Sequence, residues 1–240
     1  MSRQNHDDDL AAVEVQVLVA SLDQPSSLAA ELVNLCDSTE RASAGRMRRE
    51  SLRHDRLLAR GLLRTALGHH LGVSPRALRL ERRTGSPPRL AAASGPADVA
   101  FSMSHSGRLV AVAIGRGAEL GIDVERVDPS LDVDAVARRA FTPDEQRELD
   151  GAGPAERCAV FFRIWTRKEA YLKARGTGWS LTPDQHPDLS SSLSHGGGSV
   201  TTIPVPPGHA AAVATLPHAA RDGVRAGHAT PIHLTMIGVP

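Results

Sequence analysis

The sequence has few of the residues and motifs that mark several common protein classes. Its two cysteines, Cys36 and Cys158, lie far apart and form no CxxC pair, which argues against a disulfide framework and a zinc site. The start of the chain lacks the apolar stretch of a signal peptide, and no uncharged apolar run approaches membrane-spanning length. We therefore predict a soluble protein of the reducing cytoplasm that does not bind a membrane.

Sequence motifs that bind nucleotide phosphates are also missing. The chain contains neither a GxxxxGK[ST] P-loop nor a GxGxxG turn, which disfavours a P-loop kinase and a Rossmann dehydrogenase. The GxSxG elbow of serine hydrolases is absent as well, and the histidines show no HExxH spacing. Any phosphate site in this protein must use another arrangement.

Lysine is almost absent, although the chain carries 28 cationic residues. Twenty-six of these are arginines, and the two lysines, Lys168 and Lys173, fall within one short stretch. A chain that uses arginine nearly everywhere but keeps lysine at two positions favours a compact ammonium there over a planar guanidinium. Chance retention of two residues is the alternative.

Arginine is concentrated between residues 41 and 90, where thirteen arginines accompany three acidic residues, although the net charge of the chain is only +1. Such a segment suits a phosphate-rich ligand or an acidic protein partner. A solvated helix face is the simpler alternative. A regulatory protein that binds nucleic acid is another, but aromatic residues make up only 3% of the chain and no recognition motif is visible.

Alternating or continuous apolar runs predict strands, and longer periodic patterns between them predict helices. The predicted strands are 13–20, 99–103, 109–114, 120–125, 199–205, 210–215 and 231–237. Helices are predicted at 53–71, from 142 onward and at 156–174. This order predicts an α+β fold with antiparallel sheets and two similar lobes, an amino-terminal lobe over residues 1–115 and a carboxy-terminal lobe over residues 116–240.

The pentapeptide Gly121-Ile122-Asp123-Val124-Glu125 lies on a predicted strand. Because alternate side chains of a strand point to opposite faces, Asp123 and Glu125 share one face, about 7 Å apart along it. Two carboxylates at this spacing repel each other unless a cation or water lies between them, and hard oxygen ligands suit Mg²⁺. An ordinary half-exposed strand with two surface acids fits the same pattern.

The predicted helix at 156–174 carries an apolar stripe beside charged residues. Phe161, Trp165 and Leu172 recur at helical spacing, and Glu169 and Lys173 lie one turn apart on the flank of the stripe. This arrangement puts a carboxylate and an ammonium at the border between the core and a cleft. A simple surface pair of opposite charges is the alternative interpretation.

The segment Ser104-His105-Ser106-Gly107 joins two predicted strands. Its hydroxyl, imidazole and backbone N–H groups suit a phosphate ligand. A hydrolase pair of Ser104 and His105 is disfavoured, because adjacent side chains of a strand point apart. A structural role for His105 in the turn is the alternative.

Taken in order, three motifs resemble those of the Sfp-type 4'-phosphopantetheinyl transferases. They are Ser-His-Ser-Gly at 104–107, Gly-Ile-Asp-Val-Glu at 121–125 and Trp-Thr-Arg-Lys-Glu-Ala-Tyr-Leu-Lys-Ala at 165–174. Upstream, Glu-Arg-Ala at 40–42 and Leu-Arg-Leu-Glu-Arg at 78–82 are similar to the amino-terminal lobe of that family. The resemblance implies a pseudo-twofold fold of two α+β lobes, with coenzyme A and Mg²⁺ in the cleft between them.

The resemblance also implies which residues of this chain carry the chemistry. Three carboxylates would bind the metal, namely Asp123, Glu125 and Glu169. Glu169 would also act as the base, and Lys173 would contact the pyrophosphate of coenzyme A. Glu169 and Lys173 are therefore the implied catalytic residues.

The remaining implied contacts hold coenzyme A. Ser104 and His105 would bind its 3'-phosphate end, and Arg41 and Arg82 would be further phosphate contacts beside Lys173. The family often has Gly-Lys-Pro before the Ser-His motif, whereas residues 85–88 here read Gly-Ser-Pro-Pro. The missing lysine implies that coenzyme A is held less tightly there, or that a neighbouring arginine replaces the contact.

The implied activity is transfer of the 4'-phosphopantetheine arm of coenzyme A to a serine of an apo acyl or peptidyl carrier protein, with release of 3',5'-ADP. The implied enzyme is a monomer whose partners are carrier proteins and not nucleic acid. The arginine bias points to a GC-rich bacterial source, and hence to polyketide, nonribosomal peptide or fatty acid biosynthesis. A catalytically silent protein that binds coenzyme A or a carrier protein is the alternative.

Overall fold

The computed structural model describes residues 13–81, 88–176, 189, 198–217 and 232–237 of the 240-residue chain. Within them the strands are β1 (Val13–Ser21), β2 (Leu80–Glu81), β3 (Arg89–Leu90), β4 (Val99–Ser106), β5 (Leu109–Arg116), β6 (Ala118–Arg126), β7 (Ser199–Thr202), β8 (His209–Pro217) and β9 (Ile232–Ile237). The helices are α1 (Ser26–Leu35), α2 (Ser38–Gly45), α3 (Glu50–Leu71), α4 (Val133–Ala140), α5 (Pro143–Asp150) and α6 (Arg157–Arg175). In these ranges, no helix has the length and apolar character needed to cross a membrane.

The strands form two main sheets and a small hairpin. The first sheet has the order β4-β5-β1-β9, the second has the order β6-β8-β7, and β2 pairs with β3. The predicted α+β class is confirmed. The expectation of antiparallel sheets is confirmed for all strand pairs of the described residues except one, because β9 runs parallel to β1. A long connection between β8 and β9 permits this direction, whereas the short turns between successive strands impose antiparallel pairing.

The pairing of β9 also bears on the predicted division of the chain at residue 115. β9 belongs to the second half of the sequence, yet it extends the sheet that β1, β4 and β5 form in the first half. The carboxy-terminal strand thus links the two halves of the chain. The division into lobes at 1–115 and 116–240 stays a prediction.

The two main sheets pack face to face between helices. The interface between the sheets includes alternating buried residues, namely Val15, Val17, Ala111, Ala113, Ile122, Val124, Ala211 and Val213. The opposite face of the first sheet packs against α3, and the opposite face of the second sheet packs against α6. Since Ile122 and Val124 point toward the first sheet, Gly121, Asp123 and Glu125 point toward the α6 side of β6.

Local sequence signals define several ends of these helices. Thr142 and Glu145 form a reciprocal capping box at the start of α5, as their spacing predicts. α6 ends at Gly176, which adopts the left-handed conformation with φ of 68°. Cys36 and Cys158 are free thiols in the structure.

Part of the arginine-rich segment is structural. Arg64 lies fully buried on α3, where its guanidinium forms ion pairs with Asp37 at 2.6 Å and Glu40 at 2.7 Å. Nη1 of Arg64 also donates to the carbonyls of Pro75 and Leu78, both at 3.1 Å. This arginine therefore neither belongs to a solvated helix face nor contacts a ligand, and it joins α2, α3 and the turn that follows α3.

Candidate active site

The two main sheets meet along β4 and β6, which are edge strands of their sheets. Three serines at alternate positions of β4 bridge this seam. The backbone N–H of Ile122 donates to Ser102 Oγ at 3.1 Å, and the backbone N–H of Arg126 donates to Ser106 Oγ at 3.1 Å. Between them, Ser104 Oγ donates to Asp123 Oδ1 at 2.8 Å. Serine hydroxyls thus join two sheet edges and reach the acidic motif of β6.

Asp123 is the centre of the site, and its side chain is only 3% exposed. Its Oδ1 accepts from Lys173 Nζ at 2.6 Å, and the same ammonium donates to Ser104 Oγ at 2.9 Å. Burial raises the pKa of Asp123 to about 6, because removal of water outweighs the attraction of Lys173 and the hydrogen bond from Ser104. Asp123, Ser104 and Lys173 therefore form one compact charged cluster.

The other carboxylate oxygen of Asp123 suits a cation. Oδ2 is buried and has no hydrogen-bond partner among the described residues. A buried carboxylate oxygen without a donor is costly unless something else binds it, and hard oxygen atoms are the ligands that Mg²⁺ prefers. Glu125, two residues along the same strand face, is half-buried and accepts from Ser106 Oγ at 2.5 Å. The unpartnered oxygen of Asp123 and the nearby carboxylate of Glu125 are therefore suited to bind a divalent ion.

α6 reaches this site because a glycine lies beneath it. A Cβ atom on Gly121 would stand 1.9 Å from the carbonyl oxygen of Ala170 and 2.5 Å from the backbone nitrogen of Ala174. Only a residue without a side chain allows so close an approach of helix and strand. This close contact brings Lys173, which directly precedes Ala174 on α6, to Asp123.

Glu169 lies one turn before Lys173 on α6 and is half-buried. Within the described ranges, no group of three or more histidine, cysteine, aspartate or glutamate side chains is arranged to hold a metal ion. The structure brings Asp123 together with Lys173, not with two further carboxylates. Here the Lys173 ammonium balances the charge of Asp123 at 2.6 Å. The set Asp123, Glu125 and Glu169 stays a prediction.

His105 follows Ser104 but points to the other side of β4, and its side chain is exposed. Its pKa is lowered, because nearby protein partly excludes water and because Lys173 and Arg56 repel the protonated ring. Arg56 belongs to α3, so the imidazole lies within the electrostatic reach of both α3 and α6. The exposed imidazole thus lies in a region of positive charge, which suits an anionic ligand.

Of the two arginines implied as phosphate contacts, the structure describes only Arg41, and its guanidinium bonds to α1 and to the residue that follows it, not to this cluster. Arg41 is exposed, and it donates from Nε to the carbonyl of Cys36 at 3.1 Å and from Nη2 to that of Val33 at 2.7 Å. It therefore closes the carboxyl end of α1. Arg82 lies outside the described residues, as do Ser86 and the rest of the segment where the family lysine is missing.

The two lysines, which the sequence alone does not distinguish, have different partners in the structure. Lys168 is buried and forms an ion pair with the buried Glu145 at 2.8 Å. Glu145 also caps α5 and accepts from the backbone N–H of Leu189 at 3.1 Å. Lys168 is thus a structural residue, whereas Lys173 lies in the cluster with Asp123. Each of the two lysines is paired with a buried carboxylate, but only Lys173 belongs to the site.

Ser102 was not singled out from the sequence, and Ser106 was named only as a member of the Ser-His-Ser-Gly motif, with no role of its own. The signal for them is the alternation in Phe101-Ser102-Met103-Ser104-His105-Ser106, which places three hydroxyls on one face of a strand. The partners of Ser102 and Ser106 lie on β6, which belongs to the other main sheet. Sequence periodicity alone therefore does not reveal their partners.

The raised pKa of Asp123 predicts that the metal-free protein loses stability as pH rises. The folded protein keeps this proton up to about pH 6, whereas the unfolded chain releases it near 3.8. Between these values the folded state binds more protons, so the free energy of unfolding falls with rising pH, by about 2–3 kcal/mol from this group.

Urea unfolding in a chelating buffer, across a pH series from about 4 to 7, measures this effect. Asp123→Asn is the matched variant, because it lacks the titrating group and keeps the shape of the side chain. We expect wild type to lose stability relative to Asp123→Asn through this window. A difference between the two proteins that stays constant with pH would contradict the prediction.

Known proteins are similar to this chain in the region that contains β6 and α6 of the site. Residues 119–207 match the family model of the 4'-phosphopantetheinyl transferase superfamily. 4'-Phosphopantetheinyl transferase HetI of Nostoc sp. is 35% identical over 169 residues, which cover 70% of this chain and 71% of HetI. A 4'-phosphopantetheinyl transferase of Bacillus subtilis is 28% identical over 190 residues, covering 78% of this chain and 80% of that protein. 4'-Phosphopantetheinyl transferase Sfp of Bacillus subtilis is 34% identical over 126 residues, 48% of this chain and 54% of Sfp.

Proposed function

The chain belongs to the 4'-phosphopantetheinyl transferase superfamily, and we propose that the site between β4, β6 and α6 transfers the 4'-phosphopantetheine arm of coenzyme A to a serine of an apo carrier protein. The products are a holo carrier protein and 3',5'-ADP. The observation that carries this proposal is the cluster of Asp123, Lys173 and Ser104, which lies where the family motifs meet in space. The alternative of a catalytically silent binding protein is disfavoured, because this charged cluster is intact.

The reaction is a phosphoryl transfer, in which positioning and neutralisation of charge provide most of the catalysis. The hydroxyl oxygen of the carrier serine attacks the phosphorus that bears pantetheine, and the bond from that phosphorus to the bridging oxygen of the pyrophosphate breaks. Glu169 is proposed to take the serine proton. Lys173 is proposed to contact the pyrophosphate, where its ammonium opposes the negative charge that develops on 3',5'-ADP.

Mg²⁺ fits this site on the chemistry of its residues. Three residues would hold the ion. They are Asp123, whose Oδ2 has no hydrogen-bond partner among the described residues, Glu125 on the same strand face, and Glu169 on α6. When bound, Mg²⁺ supplies neutralisation of the charge on phosphate oxygens. Without it, the carboxylates of this site would repel the pyrophosphate, so we expect a chelator to stop the transfer.

Coenzyme A is proposed to lie with its 3'-phosphate end near His105 and α3. The guanidinium of Arg56 is close enough to the imidazole of His105 to help lower its pKa, so positive charge lies near this imidazole. Ser104 lies at the same end of β4, but its hydroxyl already bonds Asp123 and Lys173, so its side chain organises the cluster more than it offers a free donor. Arg41 and Arg82 are proposed to contribute further phosphate contacts.

Mass spectrometry tests the proposed function directly. The full-length protein, incubated with coenzyme A, Mg²⁺ and an apo carrier protein, should add one phosphopantetheine group to the carrier, and a chelator should prevent the addition. A panel of acyl and peptidyl carriers is needed, because the acceptor is not identified. If no carrier in the panel gains mass while calorimetry shows metal-independent binding of coenzyme A, the silent binding protein is the better description.

The carrier protein is proposed to dock on a basic face of α3. Leu52, Arg53 and Arg56 are spaced so that they share one side of the first turns of α3, and Arg49 is the residue directly before the helix. Arg56 is close enough to His105 to help lower its pKa. Leu52 is 47% exposed. Positive charge around one exposed apolar side chain suits an acidic partner surface with an apolar contact of its own.

Charge reversal on this face should weaken use of the carrier but not of coenzyme A. We expect Arg49→Glu combined with Arg53→Glu to raise KM for the carrier about tenfold, because electrostatic steering then opposes an acidic partner. KM for coenzyme A should stay near the wild-type value. Steady-state assays with each substrate varied in turn measure both constants.

Arg139→Glu is the control, because Arg139 is an exposed arginine of α4 that lies away from this face. The same change of charge there should leave both constants unaltered. If the double variant instead raises KM for coenzyme A, the face binds the nucleotide and not the carrier.

We also propose that the enzyme is a cytoplasmic monomer that serves carrier proteins of polyketide, nonribosomal peptide or fatty acid biosynthesis.

A further inference from the structure

We propose that Ser106 is a positioning residue, which orients the carboxylate of Glu125 and thereby sets the affinity of the site for a divalent cation. Ser106 ends β4 and lies across the seam from Glu125 on β6. The inference rests on the proposed function, since Glu125 is one of the residues proposed to hold Mg²⁺.

The directions of the two hydrogen bonds at Ser106 are determined by the chemistry of its partners. The backbone N–H of Arg126 can only donate, so Ser106 Oγ accepts from it at 3.1 Å. Glu125 is an acceptor when ionised, so the hydroxyl hydrogen of Ser106 points to its Oε2 at 2.5 Å. A hydroxyl that accepts on one side and donates on the other cannot rotate without losing a bond. It therefore holds Glu125 in one orientation.

The backbone around Ser106 is also held in place. Ser106 is the last residue of β4 and pairs with Leu109, so the intervening turn begins directly after it. Gly107 in that turn has a left-handed φ of 56°, and an ideal Cβ there would be 3.2 Å from the Arg126 side chain. The turn thus packs against the residue whose N–H reaches Ser106, and this contact keeps the two strand ends together.

The neighbouring serines show that the role is specific to this position. Ser102 accepts from the backbone N–H of Ile122 at 3.1 Å, which is the same kind of bond across the seam, but its side chain is not bonded to a site carboxylate. Ser104 contacts Asp123 and also Lys173. Ser106 alone of the three both joins the strands and donates to Glu125, so it orients a metal-binding candidate without itself contacting the substrate in this proposal.

Removal of such an orienting partner typically lowers metal affinity by about 10–100-fold. We therefore expect Ser106→Ala to bind Mn²⁺, used as a paramagnetic probe in the presence of coenzyme A, about tenfold more weakly than wild type. The Mg²⁺ concentration for half-maximal transfer should rise by a similar factor, and activity at saturating Mg²⁺ should largely recover. Electron paramagnetic resonance of free Mn²⁺ measures binding independently of turnover.

Ser102→Ala is the matched control, because it removes the same bond across the seam but no bond to a carboxylate. It should change Mn²⁺ affinity by less than about twofold, and Ser106→Thr, which keeps the hydroxyl, should restore the wild-type value. Equal weakening by Ser102→Ala and Ser106→Ala, or an unchanged Mn²⁺ affinity in Ser106→Ala, would overturn the inference. If the wild-type protein transfers no phosphopantetheine, the proposed function fails instead, and the Mn²⁺ titration still decides the role of Ser106.

Discussion

Lys173→Met is expected to lower kcat for phosphopantetheine transfer by about 10³-fold at neutral pH, because it removes the cation that contacts both Asp123 and the proposed pyrophosphate site. The ammonium lies 2.6 Å from Oδ1 of the buried Asp123. Its attraction is the largest effect that opposes the rise in the pKa of Asp123. Methionine fills a similar volume, so the loss is one of charge more than of packing.

The variant should also show a displaced pH profile. Without Lys173, the pKa of Asp123 rises further above its ordinary value, and the carboxyl stays protonated at neutral pH. A protonated carboxyl is a poor ligand for Mg²⁺. Part of the lost activity should therefore return at alkaline pH, which a comparison of kcat against pH for wild type and Lys173→Met would reveal. A uniform loss of activity at every pH would contradict this account of Asp123.

Lys168→Met is the matched control for this prediction, because it removes the other lysine of the same helix. Lys168 and Glu145 are both buried, so breaking their pair should lower the free energy of unfolding by about 3–5 kcal/mol. The folded fraction should keep a normal pH profile, since this pair lies outside the cluster of Asp123. Urea unfolding and kcat measured on the same preparations separate the two lysines. The interpretation fails if Lys168→Met displaces the pH profile and Lys173→Met does not.

Gly121→Ala is expected to displace α6 from β6 and to impair both folding and catalysis. The added methyl would stand 1.9 Å from a carbonyl oxygen of the α6 backbone, which no rotation of a side chain can relieve. Overpacking of this kind costs about 1–3 kcal/mol or more. A helix shift of about 1 Å would move Lys173 from Asp123, and displacement on that scale can lower kcat about 10²-fold.

Thermal or urea unfolding measures the stability of Gly121→Ala, and the transfer assay under folding conditions measures its kcat. Gly153→Ala is the control, because an ideal Cβ at Gly153 meets no atom within 4 Å. This control should keep wild-type stability and activity within error. An active Gly121→Ala protein of normal stability would show that α6 does not depend on its close approach to the strand.

Much of the local structure could be predicted from the sequence, because local rules determine it. Apolar alternation located the strands that became β1, β4, β5, β6 and β8, and the capping box at Thr142 located the start of α5. The parallel pairing of β9 was missed, since strand direction depends on a partner more than two hundred residues away in sequence. Periodicity describes a strand but not its neighbour.

The candidate site shows the same limit at the level of side chains. The face shared by Asp123 and Glu125 followed from strand geometry, and their link to coenzyme A followed from motif resemblance. The burial of Asp123, its bond to Lys173 and the serine seam depend on contacts between residues about 20 to 50 positions apart. A local sequence pattern cannot predict contacts between residues so far apart in the chain.

The sequence by itself determined the α+β class, the ordered motifs and the candidates Ser104, His105, Asp123, Glu125, Glu169 and Lys173, because residue type and local spacing carry that information. Only the tertiary structure decided that Lys173 balances a buried Asp123 while Lys168 supports α5, that Arg41 caps a helix and that Ser106 holds Glu125. The physical reason is that charge, burial and hydrogen bonding act through space. They acquire definite values only when the packing of α6 on Gly121 and of β4 beside β6 fixes the distances.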